Sequence, residues 1–318
     1  MDKPTIIQVG SLAGSPGANE MLQSHYRVIA LWQADDRATV LKDNEHVQVL
    51  VTSALHGCSA ELIESLPNLK LICSWGVGYD TIDLQACHRR AIMVTNTPDV
   101  LSDCVADEAW GLLIASARHI AAGDQFVRQG RWQSRNDTLP LGRRVSGKKL
   151  GIVGLGRIGL AIAKRGQGFN MEVAYHNRRV RDDVAYRYYS DLVELARWSD
   201  FLVVATVGGS DTRDLIDRQV LRALGPSGII VNIARGAVIE EQAMVELLQS
   251  GELGGAGLDV FENEPHVPQS LVQLPQVVLM PHVGSATFET SQAMFDLVLE
   301  NLQAYFSDKA LLTPVDTS

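Results

Sequence analysis

The chain has 318 residues, of which 46% are hydrophobic and 20% charged, and its formal net charge is −9. That length and apolar content suit a globular protein with more than one core, while the acidic balance excludes general affinity for nucleic acid or an anionic membrane, both of which select basic surface. No apolar run approaches the roughly 18 residues of a membrane span, and the opening MDKPTIIQVG lacks the charged-then-apolar pattern of a secretory leader, so a cytoplasmic protein is expected.

Short β-rich runs come first: TIIQVG (5–10), YRVIAL (26–31), VQVLV (47–51), LKLIC (69–73) and AIMVTN (91–96), with helical intervals between them. Continuous apolar strands alternating with helices predict a parallel sheet covered on both faces. Cys58, Cys73, Cys87 and Cys104 are scattered, with no paired spacing and no nearby His at ligand spacing. Reduced, mostly buried thiols and no metal are expected. From Ser102 to about Ala122 the sequence predicts one long helix capped by Ser102 or Asp103, followed by a polar, Gly/Pro-marked extended arm over 123–147. A second alternating series starts at Lys148 with KKLGIVG and runs through MEVAYH, DFLVVAT, SGIIVNIA, GAGLDV and QVVLMPH, ending in a helix over roughly 286–306. Because that last helix follows a complete second sheet, it is expected to pack back on the first. The result is an α/β chain of two Rossmann-like or flavodoxin-like parallel-sheet domains with a cleft between them: 1–99 with 288–318, and 100–287.

Within the second series, Gly154-Leu155-Gly156-Arg157-Ile158-Gly159 lies between a predicted strand and a predicted helix. The first glycine permits the tight turn, the second lets a pyrophosphate approach the backbone, and the third lets helix and strand pack closely. The helix start adds unpaired N–H groups and a positive dipole end. A dinucleotide site normally carries an acid about 20 residues further on, which holds a ribose hydroxyl. Here Asn177, Arg178 and Arg179 stand instead. An acid would repel a 2′-phosphate, whereas arginines attract it, so the expected cofactor is NADP(H), with NAD(H) second. The competing account is a solvated basic turn.

Four motifs then follow in order: GLGRIG, NIARG (232–236), GLDVFENEP (257–265) and PHVGS (281–285). With WGVGYDTID (75–83), NTPDV (96–100) and DTRDLID (211–217), they make the chain resemble the D-2-hydroxyacid dehydrogenase family from about residue 45 onward, most of all its NADPH-dependent hydroxypyruvate, glyoxylate and hydroxyphenylpyruvate reductases. The resemblance implies catalysis by Arg235, Glu264 and His282. Reducing a 2-keto acid needs a hydride donor, a proton donor and a cation for the carboxylate. Arg235 has the planar fork for the last task, and His282 suits proton donation, since imidazoles as a class titrate near working pH. A nearby Glu264 carboxylate would favour the imidazolium and orient the ring. The same resemblance assigns the substrate carboxylate to the backbone amides of Val77 and Gly78, and the nicotinamide side to Thr206, Ile233 and Asp259. It also implies a homodimer built on the helix from Ser102, with its WGLLIA run, and the arm after it. Selectivity for the keto acid is expected near Ser53 to His56, Trp75, and the arm with Trp132 and Leu139. The alternative function is a dinucleotide-sensing corepressor or scaffold on the same fold, which the combined presence of Arg235, Glu264 and His282 disfavours.

Overall fold

The computed structural model describes residues 3–12 and 17–317. Contacts divide the chain into two compact units, Met1–Leu101 with Ser285–Ser318, and Ser102–Gly284. The borders fall two to three residues from the expected 99/100 and 287/288.

In the first unit, β1 (Thr5–Gln8), β2 (Arg27–Ala30), β3 (Val49–Ser53), β4 (Leu71–Trp75) and β5 (Met93–Thr95) form one parallel sheet in the order β2-β1-β3-β4-β5. Alternate residues serve opposite faces, as the strand period of two requires. Ile7, Leu50 and Ile72 point to a core with Ile63 and Cys87, and Ile6, Val49, Val51 and Leu71 to another with Leu22. The helix Phe288–Phe306 completes the second of these cores through Phe295, Val298, Leu299 and Leu302. That i, i+3, i+4, i+7 stripe is why a helix so late in the chain belongs to this unit; each buried side chain contributes roughly 1.5–3 kcal/mol. After it the chain returns to the sheet edge, where the Val315 amide donates to the Val94 carbonyl at 2.8 Å.

In the second unit, β6 (Lys149–Val153), β7 (Glu172–His176), β8 (Arg187–Tyr188), β9 (Phe201–Val204), β10 (Ile229–Asn232), β11 (Gly255–Leu258) and β12 (Val277–Leu279) form a parallel sheet in the order β12-β11-β10-β9-β6-β7-β8. The order reverses between β6 and β9, and in such sheets ligands bind beyond the strand ends at that reversal. The two-residue β8 left no periodic signal in the sequence.

The long helix expected over 102–122 is two helices, Ser102–Arg118 and Ile120–Arg128. His119 between them has φ +55°, a left-handed conformation that breaks the helical ladder. The arm therefore starts six residues later than expected, after Arg128. Much of the WGLLIA run packs within the chain itself. Trp110, Leu112 and Leu113 are buried inside their own unit, Trp110 stacks on Phe169 with ring centroids 4.5 Å apart, and Ser116 Oγ donates to the Ala256 carbonyl of β11 at 3.1 Å. In the helix Ile120–Arg128 and the arm after it, the large apolar side chains Ile120, Val127, Trp132, Leu139 and Leu141 are exposed. No helix among the described residues is long and apolar enough to cross a membrane.

Candidate active site

β6 ends in a turn whose shape is set by contacts of its glycines. Gly154 has φ +94°, and a Cβ there would lie 2.6 Å from Thr206 Cα, so the ends of β6 and β9 abut where the strand order reverses. A Cβ on Gly159 would meet the Gly154 carbonyl oxygen at 2.1 Å, which only glycine avoids. Gly156 differs: a Cβ there meets nothing within 4 Å. It is the N-cap of the helix Arg157–Gly168 and has no side chain to satisfy the first amides. The space beside Gly156 lies at the positive end of the helix dipole, which fits the pyrophosphate of a dinucleotide. Arg157 is exposed and Ile158 half-buried on the first turn, while Leu155 is buried beneath it.

The segment after β7 is tied to this turn. Asn177 Oδ1 accepts from the Leu155 amide at 2.7 Å, and the Asn177 carbonyl accepts from Tyr188 Oη at 3.1 Å. Asn177, expected to contact cofactor, thus uses its side-chain oxygen to hold the turn. Arg181, which the sequence reading passed over, donates from Nη1 to the Leu155 carbonyl at 2.8 Å and pairs with Asp183. Its amide donates to Tyr175 Oη at 2.9 Å. With both ends of the segment fixed, Arg178 and Arg179 project between them and are exposed. Arg178 Nη1 lies 3.7 Å from Asp211 Oδ2.

The ends of β10, β11 and β12 bring the expected catalytic residues together. Asn232, buried at the end of β10, accepts from the Ala234 amide at 3.0 Å and donates to the Arg235 carbonyl at 2.9 Å. Gly236 allows this loop to press on the next, since a Cβ there would fall 1.9 Å from the Phe261 carbonyl carbon. After β11, Asp259 is 2% exposed. Its carboxylate accepts from the Val283 and Gly284 amides at 2.8 and 2.9 Å, and its carbonyl accepts from the His282 amide at 2.8 Å. Asp259 therefore clamps the loop that carries His282, whose own φ is +55°. Burial pushes the Asp259 carboxyl up, against the pull of those amides. Half-buried Glu108, on the helix Ser102–Arg118, is likewise raised, by burial and then by the Asp259 charge.

His282 Nδ1 lies 2.7 Å from Glu264 Oε2, and Glu264 Oε1 accepts from the Phe261 amide at 3.0 Å. Burial opposes ionisation of Glu264, but the bonds from His282 and Phe261, with the charges of His282 and Arg235, outweigh it and hold the carboxyl below its ordinary value. An ionised carboxylate only accepts, so Nδ1 carries the donated hydrogen and Nε2 is the ring atom left for chemistry. The Arg235 charge is close enough to act on Glu264, and its Nη1 donates to the Ala234 carbonyl at 2.7 Å. Thr206 and Ile233 follow β9 and β10, half-buried and buried respectively. Val77 and Gly78 belong to the first unit, in the loop after β4, where Asn96 Nδ2 donates to the Val77 carbonyl at 2.8 Å and the Gly76 amide donates to Thr97 Oγ1 at 3.0 Å.

Residues 110–284 match a family model described as D-isomer specific 2-hydroxyacid dehydrogenase, NAD binding domain. The chain belongs to this family. It is 47% identical over 295 residues to a glyoxylate/hydroxypyruvate reductase of Arabidopsis thaliana, covering 92% of this chain and 94% of that one. It is 46% identical over 295 residues, with the same coverage, to a hydroxyphenylpyruvate reductase of Plectranthus scutellarioides. Among solved structures it is similar to an NADPH-dependent glyoxylate/hydroxypyruvate reductase of Sinorhizobium meliloti in complex with NADP and malonate, with a TM-score of 0.90 and 39% identity over 99% of this chain and 98% of that one. As a 2-hydroxyacid dehydrogenase, the chain has a nicotinamide dinucleotide as its cofactor class, which the open turn at Gly156 accommodates.

Proposed function

We propose that the protein reduces a small 2-keto acid, such as glyoxylate, hydroxypyruvate or an aryl analogue, to the D-2-hydroxy acid, using NADPH in preference to NADH. The observation that carries this is the 2.7 Å contact between His282 Nδ1 and an ionised Glu264, on a loop clamped by Asp259. A bound reduced dinucleotide supplies the hydride. The glycine turn from Gly154 to Gly159 would hold its pyrophosphate, Arg178 and Arg179 its 2′-phosphate, and Thr206 and Ile233 would line its nicotinamide end. Arg235 neutralises the substrate carboxylate and polarises the keto group. As the keto carbon gains hydride, His282 Nε2 delivers a proton to the carbonyl oxygen. The resulting neutral imidazole keeps its Nδ1–H on Glu264, so the ring stays aimed while it is reprotonated from solvent.

The relatives' activities and the basic segment after β7 both support this reading. Mixing the protein with NADPH and a panel of 2-keto acids, and following loss of reduced-nicotinamide absorbance with chiral analysis of the product, tests it; no turnover with any keto acid would leave the sensor or scaffold alternative. Replacing Arg178 and Arg179 together by Ala is expected to cost NADPH roughly 30-fold or more in KM relative to NADH, since two charge-assisted contacts are lost at an exposed, screened site. The protein acts as a homodimer through exposed Ile120, Val127, Trp132 and Leu141. Sedimentation at micromolar concentration is expected to show twice the 34.7 kDa chain mass, and a 34.7 kDa species would refute it.

A further inference from the structure

β7 and β9 lie on either side of β6. Arg178 follows β7 and Asp211 follows β9, so their 3.7 Å pair reaches across the end of β6, over the glycine turn where the adenosine end of a dinucleotide would be held. Neither half is placed at random. Arg178 sits between Asn177 and Arg181, both bonded to Leu155 of that turn. Asp211 sits in a turn closed by Thr212 Oγ1, which donates to the Val207 carbonyl at 2.9 Å, and that loop begins at Thr206, directly against Gly154. Both side chains are about four-fifths exposed, 82% and 79%, so the pair can exchange partners at little cost.

We propose that Asp211 competes with the 2′-phosphate of NADPH for the Arg178 guanidinium and so holds down the preference for NADPH over NADH. The inference rests on the reading that Arg178 and Arg179 receive that phosphate. The phosphate carries about −1.5 to −2 charges at neutral pH against one on Asp211, so it wins the arginine, but only after the existing pair has been broken. NADH carries no such group and leaves the pair closed. Asp211 thus supplies, from a different strand end, the acid missing after β7, with the opposite consequence: it does not exclude the phosphate but taxes its binding.

Binding alone tests this, using adenosine 2′,5′-bisphosphate and 5′-AMP, which differ only in the 2′-phosphate, titrated calorimetrically into the intact protein at low salt. Asp211→Asn is expected to tighten the bisphosphate about 2- to 5-fold, the range of an exposed ion pair, and to leave 5′-AMP unchanged. The gain should disappear in about 1 M salt and in the Arg178→Ala background. Equal tightening of both nucleotides would reveal a general charge effect and overturn the proposal. So would a gain that persists without Arg178, because Asp211 would then repel the phosphate directly. If Asp211→Asn changes nothing while Arg178→Ala weakens the bisphosphate, competition is refuted and the phosphate reading stands; if Arg178→Ala and Arg179→Ala also change nothing, the phosphate reading itself fails.

Discussion

Gly156 and Gly159 belong to one motif, yet the structure separates their tasks, and Ala substitutions at the two sites should behave oppositely. At Gly159 the new Cβ would fall 2.1 Å from the Gly154 carbonyl oxygen and 3.2 Å from Ile152 Cγ2. Backbone must move by more than an ångström, and overpacking of this kind costs about 1–3 kcal/mol, or a fall in Tm of roughly 2–12 °C for a unit of this size. Gly156 has φ −82°, which Ala adopts, and its Cβ meets no atom within 4 Å. Ala there loses some N-cap preference but also about 0.4–1 kcal/mol of unfolded-state entropy, and the two nearly cancel. The methyl group does, however, enter the space in front of the helix amides. Losing one amide bond to a charged phosphate costs about 1.5–3 kcal/mol, so Kd for NADPH should rise roughly 10- to 150-fold. Calorimetric melting and a fluorescence titration of NADPH measure the two quantities separately. A Gly156→Ala protein with unchanged Tm and wild-type NADPH affinity would show that the pyrophosphate does not approach this turn.

His282→Ala should lower kcat roughly 10²–10⁴-fold with dinucleotide affinity nearly unchanged, as for loss of a general acid; stopped-flow turnover near the wild-type rate would remove His282 from that role. Glu264→Ala should lower kcat for keto-acid reduction, because His282 Nδ1 loses the carboxylate acceptor that orients its ring; unchanged turnover would detach Glu264 from His282. Since the Glu264 carboxyl is held below its ordinary value, its contribution to stability is present above about pH 4.3 and is lost as pH falls through the folded-state value. The Tm advantage of wild type over Glu264→Gln should accordingly shrink on acidification. Asp259→Asn leaves one acceptor oxygen for two amides, so hydrogen exchange at Val283 and Gly284 should quicken and kcat should fall about tenfold or more, while unchanged exchange would refute the clamp.

Much of this architecture was legible in the order of residues alone. Buried parallel strands must be apolar along their length, so each central strand announced itself as a run such as KLGIV or FLVV, and the Gly154 to Gly159 spacing marked the strand-to-helix turn because backbone contact there tolerates no side chain. The stripe at Phe295, Val298, Leu299 and Leu302 signalled that the last helix needed a sheet to cover. Local sequence did not reveal how the polar side chains would divide the work. Among Asn177, Arg178, Arg179 and Arg181, two hold the glycine turn and two project from it, and that division depends on Leu155, 22 residues before Asn177 and 26 before Arg181. Nor did local sequence reveal that the Asp259 carboxylate binds the amides of Val283 and Gly284, more than 20 residues downstream. Asp211 meets Arg178 only because β9 and β7 flank β6 in the sheet. Apolar burial repeats at the period of its element and can be read locally, whereas a hydrogen bond or ion pair needs two particular groups about 3 Å apart, and when they come from distant strands only the folded sheet decides which pairs meet.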